Sequence, residues 1–289
     1  METEVAYELL PVLKGLQGWP SRETPGENWR QSKDPAISSG CAVSARLYVQ
    51  QAAMEADHSA SSPTYHSHLN TLVAEANVIA ISVNYRRAPE HPLPVAYDDS
   101  WTALKWVASH SARNGLEEWL TSNANLKKVF LAGDSAGANI VHNMSIRLGE
   151  EKPEGIEVSG VIMVHPFFWG NEPLPLETTG PEKRSLVKRS WNIVKPTNVG
   201  CDDPLINPTM DPRLSSLGCN RVLICVAEKD IFLHKGWYYK EVLSKSGWKG
   251  VVEVMDAPGD DHVFHLFNPT CDNAVNLMKN MVFFIKEDK

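Results

Sequence analysis

The chain has 289 residues, of which 43% are hydrophobic and 22% charged, and it carries a formal charge of -7. That is enough apolar material for a full core and excludes a disordered or fibrous chain. An acidic chain whose Lys and Arg are scattered argues against nucleic acid or an anionic membrane surface as a partner, and no apolar stretch reaches the roughly 18 residues a membrane span needs.

In chain order, the first regular pattern is a helix over residues 64–77. It leads into an apolar run at 78–85 (VIAISVNY). Tyr97, Trp101, Leu104 and Ala108 then fall at helical spacing on one face. A run at 129–132 (VFLA) precedes a second such face, Ile140, Val141, Met144 and Leu148. Residues 158–165 (VSGVIMVH) form another run, and residues 169–200, rich in Pro, Glu and Lys, break the alternation. They read as a cap insertion over one end of a sheet. The run at 222–227 (VLICVA), a helix over 233–246, a weaker run at 251–255 and a helical face of Ala274, Leu277, Met278, Met281 and Ile285 complete the order.

Continuous rather than alternating apolar runs mark strands covered on both faces. Strands alternating with helices give an α/β fold with a mostly parallel central sheet and helices on both faces. The expected organisation is one domain over 1–289, with an atypical N-terminal segment at 1–60. Trp101, Trp106 and Trp237 fall in helical patterns and read as core.

The five cysteines (Cys41, Cys201, Cys219, Cys225, Cys271) contain no C-x-x-C pair, and Cys225 sits inside an apolar run. The N-terminus has no basic and no apolar leader region. Both observations lead to an expectation of a reducing, cytoplasmic setting. No cofactor and no metal site is expected.

The segment Gly133-Asp134-Ser135-Ala136-Gly137 is a G-x-S-x-G motif between the run VFLA and a helix that begins at Ala136. A serine on such a tight turn projects its hydroxyl at the top of a sheet, and the flanking glycines let strand and helix approach closely. The helix aims its positive end at a forming oxyanion, with the Ala136 N–H as donor. A serine hydroxyl needs a base. In this arrangement the order along the chain is Ser, then acid, then His. Asp230 stands just past the run VLICVA, and His262 stands in the loop after the last strand. The expected triad is therefore Ser135, Asp230 and His262. His265 is a rival base, and Asp260 and Asp261 are rival acids that are too close in sequence to the histidine.

Two groups of three segments carry a family resemblance. Tyr85-Arg86-Arg87-Ala88-Pro89-Glu90-His91-Pro92 with Asp99, the motif around Ser135 extended to Ala138-Asn139, and Asp203-Pro204-Leu205-Ile206-Asn207-Pro208 resemble the hormone-sensitive-lipase-like branch of α/β-hydrolases. Gly236-Trp237-Tyr238-Tyr239, Ser246-Gly247-Trp248-Lys249-Gly250 and His262-Val263-Phe264-His265 look like the plant carboxylesterases in particular. The resemblance implies a cytosolic, cofactor-free hydrolase of short-chain or small-molecule carboxylic esters, with the triad on the same three residues. The family also implies two alternatives: a receptor-like member that binds a small ligand without turnover, and a dehydratase-like lyase. In those relatives the histidine is lost or the serine is replaced by threonine, whereas Ser135 and His262 are both present here.

One departure bears on activity. The family carries a His-Gly-Gly-Gly loop at the end of a central strand, ahead of a segment similar to Ser62-Pro63-Thr64-Tyr65-His66; its glycine N–H groups form half of the oxyanion hole. Here Arg46-Leu47-Tyr48-Val49 runs into Gln50-Gln51-Ala52-Ala53 with no such strand or glycines. The expectation is weakened catalysis and an open slot in the sheet between the strands at 78–85 and 129–132. Residues 15–26 (GLQGWPSRETPG) add a clue. Codons for them can be chosen that, read one base out of register, give VYKDGRVERLRG, a string similar to the plant carboxylesterases there. On that reading residues 15–33 come from a shifted frame, and the loss near residue 50 is a splicing or gene-model deletion.

Overall fold

The computed structural model describes the backbone of residues 9–15, 31–33, 44–49 and 63–287, apart from 113, 114 and 116. The expectations for residues 16–30 and 50–62 therefore lie outside the described residues. In chain order the elements are β1 (Leu9–Gly15), β2 (Gln31–Lys33), β3 (Ser44–Val49), α1 (Pro63–Ala76), β4 (Val78–Asn84), α2 (Val95–Ala108), α3 (Glu118–Asn123), β5 (Ala124–Asp134), α4 (Ala136–Glu150), β6 (Val158–Val164) and α5 (Pro181–Val194). They continue with β7 (Arg221–Ala227), α6 (Leu233–Lys245), β8 (Val251–Ala257), α7 (Phe264–Phe267) and α8 (Asp272–Lys286).

The eight strands form one sheet in the order β2-β3-β4-β1-β5-β6-β7-β8. β5, β6, β7 and β8 pair in parallel, and only β1 and β3 run against the common direction. The apolar runs distribute as a pleated strand requires, with successive side chains on opposite faces. Ile79, Ile81, Val129, Leu131, Val161, Met163, Val222 and Ile224 join the core under α2, α4 and α6. Val78, Ala80, Phe130, Ala132, Ile162, Val164, Leu223 and Cys225 join the core under α1 and α8. Each run is apolar throughout because both of its faces are covered. Gly236 lets α6 lie close on β7, since a Cβ there would meet Val226 Cγ1 at 2.6 Å.

The expected open slot is not there. β1 occupies it, pairing antiparallel with β4 (Leu9 opposite Val83, Leu13 opposite Ile79) and with β5 (Leu9 opposite Gly133, Leu13 opposite Val129). The physical reason is the cost of leaving two central strands with unpaired buried N–H and C=O groups, which any available extended segment relieves. The substitution is imperfect. Pro11 brings no N–H to the ladder, and the register shifts between Leu13 and Lys14. Its direction also matters. Leu9, the start of β1, lies at the Gly133 end of β5, so the chain leaves β1 away from the motif; a parallel strand would deliver its exit loop to it.

The segment 85–99 is a structural clamp. Arg86 donates from Nη2 to Asp99 Oδ1 at 2.7 Å and from Nε to Asp99 Oδ2 at 3.0 Å, tying the exit of β4 to α2. Trp101 is buried as expected and Trp106 is half-buried against the core, but Trp237 is exposed on the outer face of α6, where it meets Lys240. Cys225 is fully buried, and burial pushes its thiol up to about 12, leaving it inert. Among the described residues, no helix is long and apolar enough to cross a membrane.

Candidate active site

Three loops leave the carboxyl ends of three strands of the parallel half of the sheet and converge. Ser135 follows the last residue of β5 directly and opens α4 with φ 53°, a left-handed conformation that a non-glycine residue adopts only under constraint. The constraint is visible. The Ser135 N–H donates to Val164 O at 2.9 Å, and its carbonyl accepts from Phe167 N at 3.0 Å and from Asn139 N at 3.2 Å. The turn is strapped to the exit of β6 on one side and to α4 on the other. Gly133 lies in β5 between β1 and β6, and Gly137 is buried in the first turn of α4. Ala136 is the one residue of the motif that is partly open to solvent.

Asp230 and His262 come from loops that are zipped together. Glu228 N donates to Ala257 O at 3.1 Å, Lys229 N to Asp260 O at 2.8 Å, and Gly259 N to Glu228 Oε2 at 2.6 Å. His262 Nδ1 lies 2.8 Å from Asp230 Oδ2, and His262 Nε2 lies 2.9 Å from Ser135 Oγ. The Asp230 side chain is buried, and its other oxygen accepts from the Phe232 N–H at 3.0 Å. With Nδ1–H donated to the carboxylate, Nε2 is left to accept the serine proton, the tautomer that this network assigns.

The rivals are placed elsewhere. His265 is buried against His68, at 5.0 Å between ring centroids, and is not paired with Ser135. Burial first, then the neighbouring His68, His165 and His262, hold it well below the ordinary histidine range. Asp261 accepts from the His262 backbone N–H at 2.7 Å, and Asp260 accepts from Asn273 Nδ2 at 2.5 Å. Neither approaches the imidazole as Asp230 does.

Sequence reasoning gave no role of their own to several residues around this core, although Asp134 stood in the motif and Asn139 in the family resemblance. Asp134 is buried, and Tyr65 donates to its carboxylate at 2.7 Å. Burial pushes the Asp134 carboxyl up to about 6, against the pull of that hydrogen bond and of a charged His262. Asn139 accepts from Tyr97 OH at 2.7 Å and donates to Leu205 O at 2.7 Å and Phe167 O at 3.2 Å, binding α4 to the loops on either side of residues 169–200. His165, at the exit of β6, accepts the Val263 N–H on Nδ1 at 2.9 Å. Its position at the carboxyl end of the strand beside β5 was a usable signal, because ligands of open α/β sheets collect at that edge.

Within residues 169–200, α5 turns Val187 and Trp191 inward onto Trp169, Cys201, Ile206 and Phe232. The Phe232 ring lies 5.3 Å from that of His262, so this cluster reaches the imidazole. The side chain of Glu177 is covered, paired with Arg184 and with Lys235 Nζ at 2.9 Å.

His165, Asp230 and His262 offer donor atoms within 4.8 Å of one another, a spacing a metal ion could use. The chemistry of the set fits hydrogen bonding better. Both His262 nitrogens, the Asp230 oxygens and His165 Nδ1 already have partners, and a metal would have to displace them.

Comparison with known proteins places this geometry in a family. Residues 56–266 match the sequence pattern of the family described as alpha/beta hydrolase fold. The chain is 41% identical to the Arabidopsis thaliana protein named "Probable carboxylesterase 13", with all of both chains covered. That alignment runs over 330 positions, longer than this chain, so it includes positions the chain lacks. It is 47% identical to "Probable carboxylesterase 2" of the same plant, over 79% of this chain and 72% of that one. It is also 37% identical to the 2-hydroxyisoflavanone dehydratase of Glycyrrhiza echinata, over 92% of this chain and 88% of that one. A solved esterase from the archaeon Pyrobaculum calidifontis superposes with a TM-score of 0.71 at 24% identity, covering 90% of this chain and 86% of that one, a likeness of fold. The chain belongs to the alpha/beta hydrolase fold family and, within it, to the plant carboxylesterases, a group of carboxylic ester hydrolases.

Proposed function

We propose that this chain is a serine carboxylesterase that hydrolyses short-chain or small-molecule carboxylic esters through an acyl-enzyme, with turnover held down by the loss of the glycine loop. The observation that carries the reading is the continuous line Asp230 Oδ2, His262 Nδ1, His262 Nε2 and Ser135 Oγ, with contacts of 2.8 and 2.9 Å at its two ends.

The steps follow from that line. Ser135 Oγ attacks the ester carbonyl carbon as its proton passes to His262 Nε2. The Asp230 carboxylate stabilises the imidazolium and keeps Nδ1 protonated. As the tetrahedral intermediate collapses, the C–O bond to the alcohol breaks and His262 gives its proton to the departing oxygen. Water then attacks the acyl-enzyme with His262 again as base, which releases the acid and restores Ser135. No cofactor, metal or second protein enters these steps.

The developing oxyanion is met by the N–H of Ala136 at the start of α4. The other half of the hole has no counterpart in the sequence. Losing one such donor costs about 2.7–4 kcal/mol, or roughly 10²–10³ in turnover. The same deficit favours a second reading, a pocket that binds a small apolar ligand without turnover. A lyase of the dehydratase type is disfavoured by the serine at position 135.

Hydrolysis of p-nitrophenyl acetate by the purified chain and by its Ser135→Ala variant separates these readings. Slow turnover that is lost in the variant supports the esterase. Equal rates in both, at the level of an unrelated protein, overturn it.

A further inference from the structure

The triad needs His262 held on a line between two fixed partners, yet its loop turns through a costly conformation. Val263, the next residue, has φ 46° and ψ 31°, a left-handed turn that a β-branched side chain strongly disfavours. Such a residue persists only where its surroundings over-determine it. The Val263 N–H donates to His165 Nδ1 at 2.9 Å, a contact between residues 98 apart in sequence. His165 is itself fixed. It leaves β6 with φ 47°, donates its own N–H to Cys225 O at 2.8 Å and is fully buried among the rings of His262, Phe264 and His265 at 5.7, 5.6 and 5.9 Å.

We propose that His165 is a positioning residue for the catalytic base: a neutral imidazole whose Nδ1 clamps the Val263 amide and so holds the His262 ring on the line from Asp230 to Ser135. This rests on the esterase reading and adds to it a side chain that touches neither substrate nor serine. The chemistry requires the neutral form. A protonated Nδ1 would carry a hydrogen toward the Val263 N–H and put a second charge beside the imidazolium that forms on His262. Burial, and then the charge of His262, pulls His165 down to about 3, so it stays neutral through the reaction. Because Nδ1 accepts, Nε2 carries the proton; it has no hydrogen-bond partner among the described residues. The groups that face this ring are the catalytic His262, with Asp230 behind it, and the neutral His265, with His68 beyond it.

Two variants test the clamp. His165→Leu fills similar space and removes the acceptor. His165→Asn places Oδ1 where Nδ1 stands and keeps it. With p-nitrophenyl acetate as substrate, the Leu variant should lose about 10- to 100-fold in kcat with KM within about 3-fold, the signature of a misplaced base. The Asn variant should recover most of that loss. A role in packing alone predicts the reverse order of harm, since Asn leaves the larger void. Equal kcat for wild type and a folded Leu variant, or equal losses in Leu and Asn, would overturn the proposal. Hydrogen exchange at the Val263 amide gives a second readout that needs no turnover. It should be slow in wild type and the Asn variant, and fast exchange in wild type would refute the clamp even if His165→Leu does not fold. If wild type neither turns over the ester nor loses activity on Ser135→Ala, the esterase reading fails, and the exchange measurement still decides the clamp.

Discussion

The hydroxyl of Tyr65, on α1, donates to the buried carboxylate of Asp134 at 2.7 Å. This contact ties α1 to the residue that precedes Ser135. Asp134 titrates near 6 because burial opposes its charge, so the bond works hardest above that pH. Tyr65→Phe should cost about 1.5–3 kcal/mol at pH 8, where the carboxylate loses a donor, and distinctly less at pH 5, where the acid is neutral. Urea denaturation of both proteins at the two pH values measures this. An equal loss at pH 5 and pH 8 would show that the ring environment, not the charge, sets the cost.

Buried histidines give the stability a direction with pH. His142 is pulled down to about 4 and His165 to about 3, mainly by burial, and His265 is held well below its usual value. Unfolded histidine takes up its proton near 6.5, so as pH falls below that value the unfolded chain binds protons that the folded one refuses. Each group then lowers stability by up to about 1.4 kcal/mol per pH unit. Asp134 acts in the opposite sense between about 4 and 6, where the folded chain holds a proton that the unfolded chain has released. His68 is pulled down to about 4 as well, and four such histidines outweigh one carboxyl. Unfolding free energy should be flat between about pH 7 and 8, fall at higher pH as the unfolded chain releases the thiol protons that buried Cys219 and Cys225 keep, and fall steadily from 6.5 to 4.5; a flat or rising profile in that last window would contradict these assignments.

The sheet is closed by β1, and that closure can be removed. Without residues 1–15, β4 and β5 would face each other with unpaired central edges, which invite pairing between chains. The full chain should be a soluble monomer with one cooperative thermal transition, and the truncated chain should aggregate. Size-exclusion chromatography of both decides it. A truncated chain that stays monomeric with an unchanged transition would mean β1 contributes nothing to closure.

Asp230 and the missing loop should be separable in kinetics. Asp230→Asn keeps the shape but sets the wrong His262 tautomer, and should lower kcat by roughly 10⁴. Insertion of a His-Gly-Gly-Gly strand and loop after Val49, in a chain without residues 1–15 so that the place between β4 and β5 is free, should instead raise kcat, by about 10²–10³, by completing the oxyanion hole. Activity in the restored chain equal to that of the present one would remove the hole as the limiting defect.

Much of this site could be read from local patterns. The runs at 129–132 and 222–227 are apolar without a break, so each revealed a strand covered on both faces, and the residues just beyond their carboxyl ends were the natural candidates. Ser135 had a motif, and Asp230 and His262 had order. The parts that stayed hidden depend on distant partners. Residues 9–15 read LLPVLKG, short and interrupted by proline, and nothing local says that they enter the centre of a sheet. His165 acquires its role only when the loop after β8 returns to it. Asn139 joins Tyr97 to Leu205 across α4, a network no spacing announces. Trp237 was misread because a helical pattern gives a face but not which face meets the core.

Esterase chemistry at this site requires an activated Ser135. Incubation of the purified chain with a fluorophosphonate, followed by intact-mass and peptide mass spectrometry, tests it without the need for a natural substrate. A single adduct should form on Ser135, absent in Ser135→Ala and strongly slowed in His262→Ala. An unmodified Ser135 in a chain with a cooperative thermal transition, or the same adduct formed at the same rate in His262→Ala, would contradict it.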